Sequence, residues 1–141
     1  NVKDKEFRIG IRFVSLFPAL QPIIIPEDPY CSYDFEIKHY ILEVKARDKY
    51  YDDWIIEKIK ADKNLKIAKE TGKEFLYLSE YKGIGYVHNV TKLTSNNYDF
   101  KWEIKNLPET TEFSKTNWIP KHIGYMHIKD SKQIKIGEVN D

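Results

Sequence analysis

The 141-residue sequence contains one cysteine, one methionine, six glycines and six prolines, and its formal net charge is only +1. Each scarcity excludes something. A lone Cys31 rules out an internal disulfide framework and fits a reducing, cytoplasmic compartment. No apolar run approaches the roughly 20 residues needed to cross a bilayer, because Ser15 and Pro18 interrupt the stretch 14–20, so no membrane partner is expected. A net charge near zero provides no whole-molecule field for a polyanion, and any such partner must be met by local clusters. No Gly-rich phosphate loop is present: Gly83-Ile84-Gly85 lacks a third glycine and a following helix. The four histidines, His39, His88, His122 and His127, form no close ligand pair, and no second cysteine supports a zinc site. The chain opens with Asn1 rather than Met, which suggests that further sequence precedes it.

What is present is the composition of a folded domain. Hydrophobic residues make up 41% and charged residues 32%, with 10 Tyr, 7 Phe and 3 Trp, which argues against disorder. A chain of this length is expected to form one domain over 1–141 and to bury about two-thirds of its unfolded surface without a metal or disulfide. Its cations are grouped. Lys58, Lys60, Lys63, Lys66 and Lys69 follow Lys38, Lys45, Arg47 and Lys49, as solvated faces or as a local surface for phosphates.

Residues 8–14 alternate Arg8, Gly10 and Arg12 with Ile9, Ile11 and Phe13, suggesting a short strand, with a helical end as the alternative. Residues 18–29 hold Pro18, Pro22, Pro26 and Pro29 around Ile23-Ile24-Ile25, predicting extended chain and turns rather than helix. Over 32–48 two strands are expected to meet near Lys38-His39 as a hairpin, with Ile41, Glu43 and Lys45 opposed to Tyr40, Leu42 and Val44. A helix is predicted over 52–71, opened by Asp52 or Asp53 and closed by Gly72. Ile55, Ile56, Ile59 and Ile67 on one side of it, and Trp54, Ala61, Leu65 and Ala68 on the other, suggest that it is sandwiched. A strand over 73–81 then gives a β–α–β crossover and a mixed α/β sheet. Shorter strands are expected at 84–93, 98–104, 122–129 and 132–136, with polar loops at 94–97 and 106–120.

The chemistry concentrates in the hairpin. Asp34 lies on its first strand and Glu43-Val44-Lys45 on its second, where period two puts Glu43 and Lys45 on one face about 7 Å apart. Paired strands are only about 4.8 Å apart, so Asp34 can approach Glu43 across the pair. Mg²⁺ takes hard oxygen ligands from one or two carboxylates plus waters, leaving room for a phosphate oxygen, and Lys45 can position the attacking water. An E-X-K triplet alone is weak, since Glu36-Ile37-Lys38 repeats it and Glu43 could simply pair with a lysine across the sheet.

Hairpin acid, Glu43-Val44-Lys45, helix and strand in this order resemble the PD-(D/E)XK nuclease superfamily, across about residues 30–82. Tyr33 stands where the Pro of the family's name would be. The resemblance implies a restriction-endonuclease-like core, a site that holds Mg²⁺ or Mn²⁺ through Asp34, Glu43 and the Val44 carbonyl, and a Lys45 that orients water. It implies hydrolysis of phosphodiesters by an endonuclease of restriction, repair, junction-resolving or phage type, with DNA favoured over RNA and a possible homodimer. Many members add an acid from an N-terminal helix and a Gln or Lys from the helix after the motif, for which Glu6 and Lys60 are the candidates. Arg47, Lys63 and Lys66, with Lys115 and Lys121 beside Trp118 in the exposed turn after 106–113, are candidate nucleic-acid contacts. The alternative is a non-catalytic nucleic-acid-binding or assembly module that keeps the fold.

Overall fold

Leu42 and Val44 project from one side of a strand and Ile41 from the other, and all three are buried, so this strand is packed on both faces. The structure is a computed structural model that describes residues 1–109 and 117–140. Its central sheet is built on this strand, β2 (Tyr40–Ala46), which pairs antiparallel with β1 (Phe35–Ile37) across the turn at Lys38-His39. On its other side β2 runs parallel to β4 (Glu74–Tyr81). Two further antiparallel strands, β5 (Ile84–Asn89) and β8 (Lys132–Lys135), complete the order β1-β2-β4-β5-β8. The expected mixed α/β sheet and its parallel crossover are therefore present.

The N-terminal segment departs from its expectation. Residues 8–14 belong to a helix, α1 (Val2–Ser15), capped by the Asn1 side chain, which accepts from the Asp4 N–H at 3.0 Å. Ile9 and Phe13, four apart, face the sheet together with Gly10 and Val14, and that spacing outweighs the local alternation. Gly10 is required there because a Cβ would overlap the Phe35 ring. Within 18–29, where extended chain and turns are expected, Pro18–Leu20 forms a single 3₁₀ turn and Ile24 makes an isolated antiparallel bridge to Glu36.

The predicted helix over 52–71 proves to be two elements. Asp53–Glu57 is a strand, β3, in which Trp54 and Ile56 are buried with the period of two, and only Lys58–Thr71 is helical, α2. Glu57, not Asp52 or Asp53, stands at its start, while Gly72 closes it in the left-handed conformation at φ +69° as the sequence suggests. Its buried residues are Ala61, Asn64 and Ala68, and Ile59 is 80% exposed, so the two-sided apolar wheel does not hold. The β3 strand pairs with β7 (Trp118–His127), which pairs with β6 (Glu103–Pro108) in a second, antiparallel sheet. The strand expected at 98–104 begins only at Glu103, the one expected at 122–129 starts earlier and ends at His127, and the expected loop 106–120 is shortened at each end by the pairing that runs to Pro108↔Trp118. The expected strand 84–93 stops at Asn89, whose side chain caps a short helix, α3 (Val90–Ser95).

The two sheet faces carry separate cores. Ile9, Phe13 and Val14 of α1 pack on Phe35, Leu42, Val44 and Leu78; Ala61 and Ala68 of α2 pack with Ile56 and Met126 on Ile41, Phe75 and Tyr77. Among the described residues no helix is long and apolar enough to cross a membrane.

Candidate active site

The site forms where β1 stops short. Phe35 is registered with Leu42, and the preceding Asp34 N–H also donates to the Leu42 carbonyl, at 2.8 Å, so two residues oppose one as in a β-bulge. Beyond that point no strand among the described residues lies beside β2 on this edge, and carboxylates take over its amides. The Val44 N–H donates to Asp34 Oδ2 at 2.7 Å, and the Ala46 N–H donates to Glu6 Oε2 at 3.0 Å. Because a strand residue's N–H and C=O point to the same edge, the Val44 carbonyl opens between these two acids. Each acid uses one oxygen for its amide and keeps the other.

Glu43 lies on the face toward α2 and is only 6% exposed. Its Oε1 accepts from Asn64 Nδ2 at 3.3 Å, and the same amide group donates to the Ser32 carbonyl at 3.0 Å. Asn64 Oδ1 in turn accepts from the Ser32 hydroxyl. The fully buried Asn64 thus ties the segment leading into Asp34 to Glu43. Nothing in the motif pointed to it, although the spacing Ala61, Asn64, Ala68 marks the inner face of α2 once the helix is started at Lys58.

Glu6, Asp34, Glu43, Val44, Lys45, Lys60 and Lys63 all line one cleft of about 620 Å³, so three chain segments and α1 converge on it. Cys31, half-buried and in no disulfide, lines its wall. Burial raises the Glu43 carboxyl to about 7, against the pull of Lys45 and Lys60 and with help from the nearby charges of Asp34 and Glu57. Desolvation also raises Glu6 and Asp34, each opposed by its amide hydrogen bond and by Lys45. Asp34 retains solvent-exposed surface, which limits that effect and leaves its second oxygen open to the cleft. Lys45 therefore acts electrostatically on all three acids, yet among the described residues it makes no ion pair within 4 Å.

Among the described residues no three His, Cys, Asp or Glu side chains form a group that could hold a metal ion. Asp34, Glu43 and the Val44 carbonyl are hard oxygen donors lining one cleft, and a Mg²⁺ ion held by them would have to complete its shell with water.

The candidate phosphate contacts separate. Lys63 is at the cleft and Lys66 is exposed on α2. The Arg47 guanidinium is turned inward: it donates to the Ile55 carbonyl at 2.9 Å and the Tyr77 hydroxyl at 3.1 Å, and lies 5.4 Å from the Trp54 ring. It bridges the two sheets and is not free to meet nucleic acid. Lys121 is likewise held, by Glu57 at 3.4 Å and the Glu109 carbonyl at 3.1 Å. Lys115 lies outside the described residues.

Comparison with protein-family models, with curated proteins and with solved structures gives no match to this chain. The functional reading rests on the site.

Proposed function

We propose that this protein is a metal-dependent nuclease hydrolysing phosphodiester bonds, in DNA rather than RNA, at the edge of β2. The observation that carries the reading is the pair of carboxylate-to-amide bonds at Val44 and Ala46, which brings Asp34 and Glu6 alongside Glu43 and Lys45 in one cleft. The hairpin, the crossover through α2 and the parallel β4 agree with a restriction-endonuclease-like core.

In this reading Asp34, Glu43 and the Val44 carbonyl hold Mg²⁺ or Mn²⁺. When bound, the ion supplies positive charge to the phosphate and acidity to a coordinated water. The protein's own contribution is positional. The Val44 amide fixes Asp34, Asn64 fixes Glu43, and Lys45, which has no ion-pair partner among the described residues, can direct a proton of its ammonium group toward the attacking water or the phosphate. Lys60 and Lys63 supply charge for the substrate backbone at the cleft rim.

Titrating Mg²⁺ and Mn²⁺ into the protein with labelled DNA and RNA oligonucleotides tests the reading. Cleavage that needs either ion and stops in excess EDTA is expected. Robust cleavage in EDTA, or none with either ion, contradicts it.

A further inference from the structure

The cleft has an apolar rim as well as a charged floor. Tyr30 is 88% exposed, Ile59 80%, Ile25 52% and Phe7 43%, and all four line the cleft that holds Asp34 and Glu43. They come from three places: Phe7 from α1, Ile25 and Tyr30 from the proline-rich segment, and Ile59 from the first turn of α2. Phe7 is already held in place, stacked on Phe35 with ring centroids 5.6 Å apart. Lys3 flanks this rim on the α1 side, and Lys60 and Lys63 flank it on the α2 side.

An intact duplex is a poor match for such a surface. Its stacked bases are turned inward, and it would press charged, hydrated phosphates against exposed rings and aliphatic chains. An unpaired strand presents both chemistries at once: phosphates for the lysines and free base faces for the rings. Charge complementarity also disfavours an apolar protein helix as occupant, because three lysines border the rim. Resting on the nuclease reading above, we infer that the ligand of this cleft is single-stranded DNA, with unstacked bases seated on Tyr30 and Phe7 beside the acids and its backbone held by Lys3, Lys60 and Lys63.

The test is binding by fluorescence anisotropy in Ca²⁺, with a labelled DNA single strand, the same strand with abasic sites, the corresponding duplex, and an RNA of the same sequence. Cleavage of each is followed separately in Mn²⁺. The Tyr30 side chain is 88% exposed and makes no hydrogen bond among the described residues, so Tyr30→Ala should leave the fold undisturbed. Stacking is worth about 1–3 kcal/mol per base, so Tyr30→Ala should weaken single-strand binding by between about fivefold and about 150-fold. Tyr30→Phe should restore it, and neither change should alter duplex binding. The abasic strand should bind wild type at least as weakly as the intact strand binds Tyr30→Ala, because it also loses the stack on Phe7. Equal or tighter binding of the duplex, equal binding of the abasic strand, or no effect of Tyr30→Ala overturns the inference, and tighter binding of RNA overturns the assignment to DNA. If duplex is cut as well as single strand, the nuclease reading survives and this inference does not. If the single strand binds as described and is never cut, the inference survives and the nuclease reading does not.

Discussion

Asp34 accepts the Val44 amide at 2.7 Å, so the acid in front of β1 is fastened to the strand that carries Glu43 and Lys45. The bond replaces the ladder contact that a longer β1 would have made. It converts a frayed sheet edge into a fixed spacing between two acids, the kind of pre-positioning on which a metal site depends.

Asp34→Asn and Asp34→Ala should therefore differ in stability but not in activity. Asn keeps an acceptor for the Val44 N–H, whereas Ala leaves that amide without one, at about 1–3 kcal/mol. Both should lose metal-dependent cleavage. Urea unfolding beside a cleavage assay checks this, and an Asp34→Asn variant as active as wild type would remove Asp34 from the site.

The pH dependence of stability should single out Glu43. Its carboxyl titrates near 4.5 when unfolded and at about 7 when folded, so the folded state holds the extra proton between those values. Stability of the metal-free protein must then fall as pH rises through that window and level off above it, by up to about 3 kcal/mol at about 1.4 kcal/mol per unit. Glu43→Gln should remove most of that slope; what remains is set by Glu6 and Asp34, raised in the same direction, against His88, whose burial lowers it and so acts with the opposite sign. Urea unfolding in EDTA at pH 5 and pH 8 measures it. Equal losses for wild type and variant would contradict the burial of a charged Glu43.

Asn64→Ala should act on chemistry more than on substrate affinity. It strips Glu43 and the Ser32 carbonyl of a shared donor, so the cleavage rate should drop while Ca²⁺-supported DNA binding stays near wild type. A variant that binds poorly and recovers its rate at saturating protein would make Asn64 a substrate contact.

The hairpin, the crossover and β4 were legible because their alternation, the turn at Lys38-His39 and Gly72 are local signals. The β3 strand was hidden for two reasons: Trp54-Ile55-Ile56 fits a helical wheel as well as an alternating strand, and no turn residue separates Glu57 from Lys58. What makes it a strand is pairing with the distant 123–127 segment, which no local pattern announces. At the site, the sequence brought out Glu6, Asp34, Glu43, Lys45 and Lys60 as chemical types in order, and the fold gathers them in one cleft. It misplaced Arg47, because the carbonyl, hydroxyl and ring that hold its guanidinium come from two other strands. Asn64 escaped notice because a polar residue in a Lys-rich helix looks solvated until the inner face is known.

That difference between cations is testable. Lys60→Ala and Lys63→Ala should each reduce the salt dependence of DNA binding by up to about one unit of slope per lost phosphate contact. Arg47→Ala should leave the slope unchanged and lower stability by about 1–3 kcal/mol, since its partners are inside the protein. Binding titrations at several salt concentrations, with unfolding curves, separate the two; a reduced slope for Arg47→Ala would contradict its structural role.

The most direct measurement is the single-turnover cleavage rate in Mg²⁺, at protein concentrations that saturate the DNA, for wild type, Glu43→Gln and Lys45→Ala. Saturation removes differences in affinity and leaves only the chemical step. Loss of a carboxylate ligand should abolish the reaction, and loss of the Lys45 ammonium should slow it by about a hundredfold or more. If Glu43→Gln cuts at the wild-type rate, or if saturating protein restores Lys45→Ala, then the edge of β2 is not where the phosphodiester is broken.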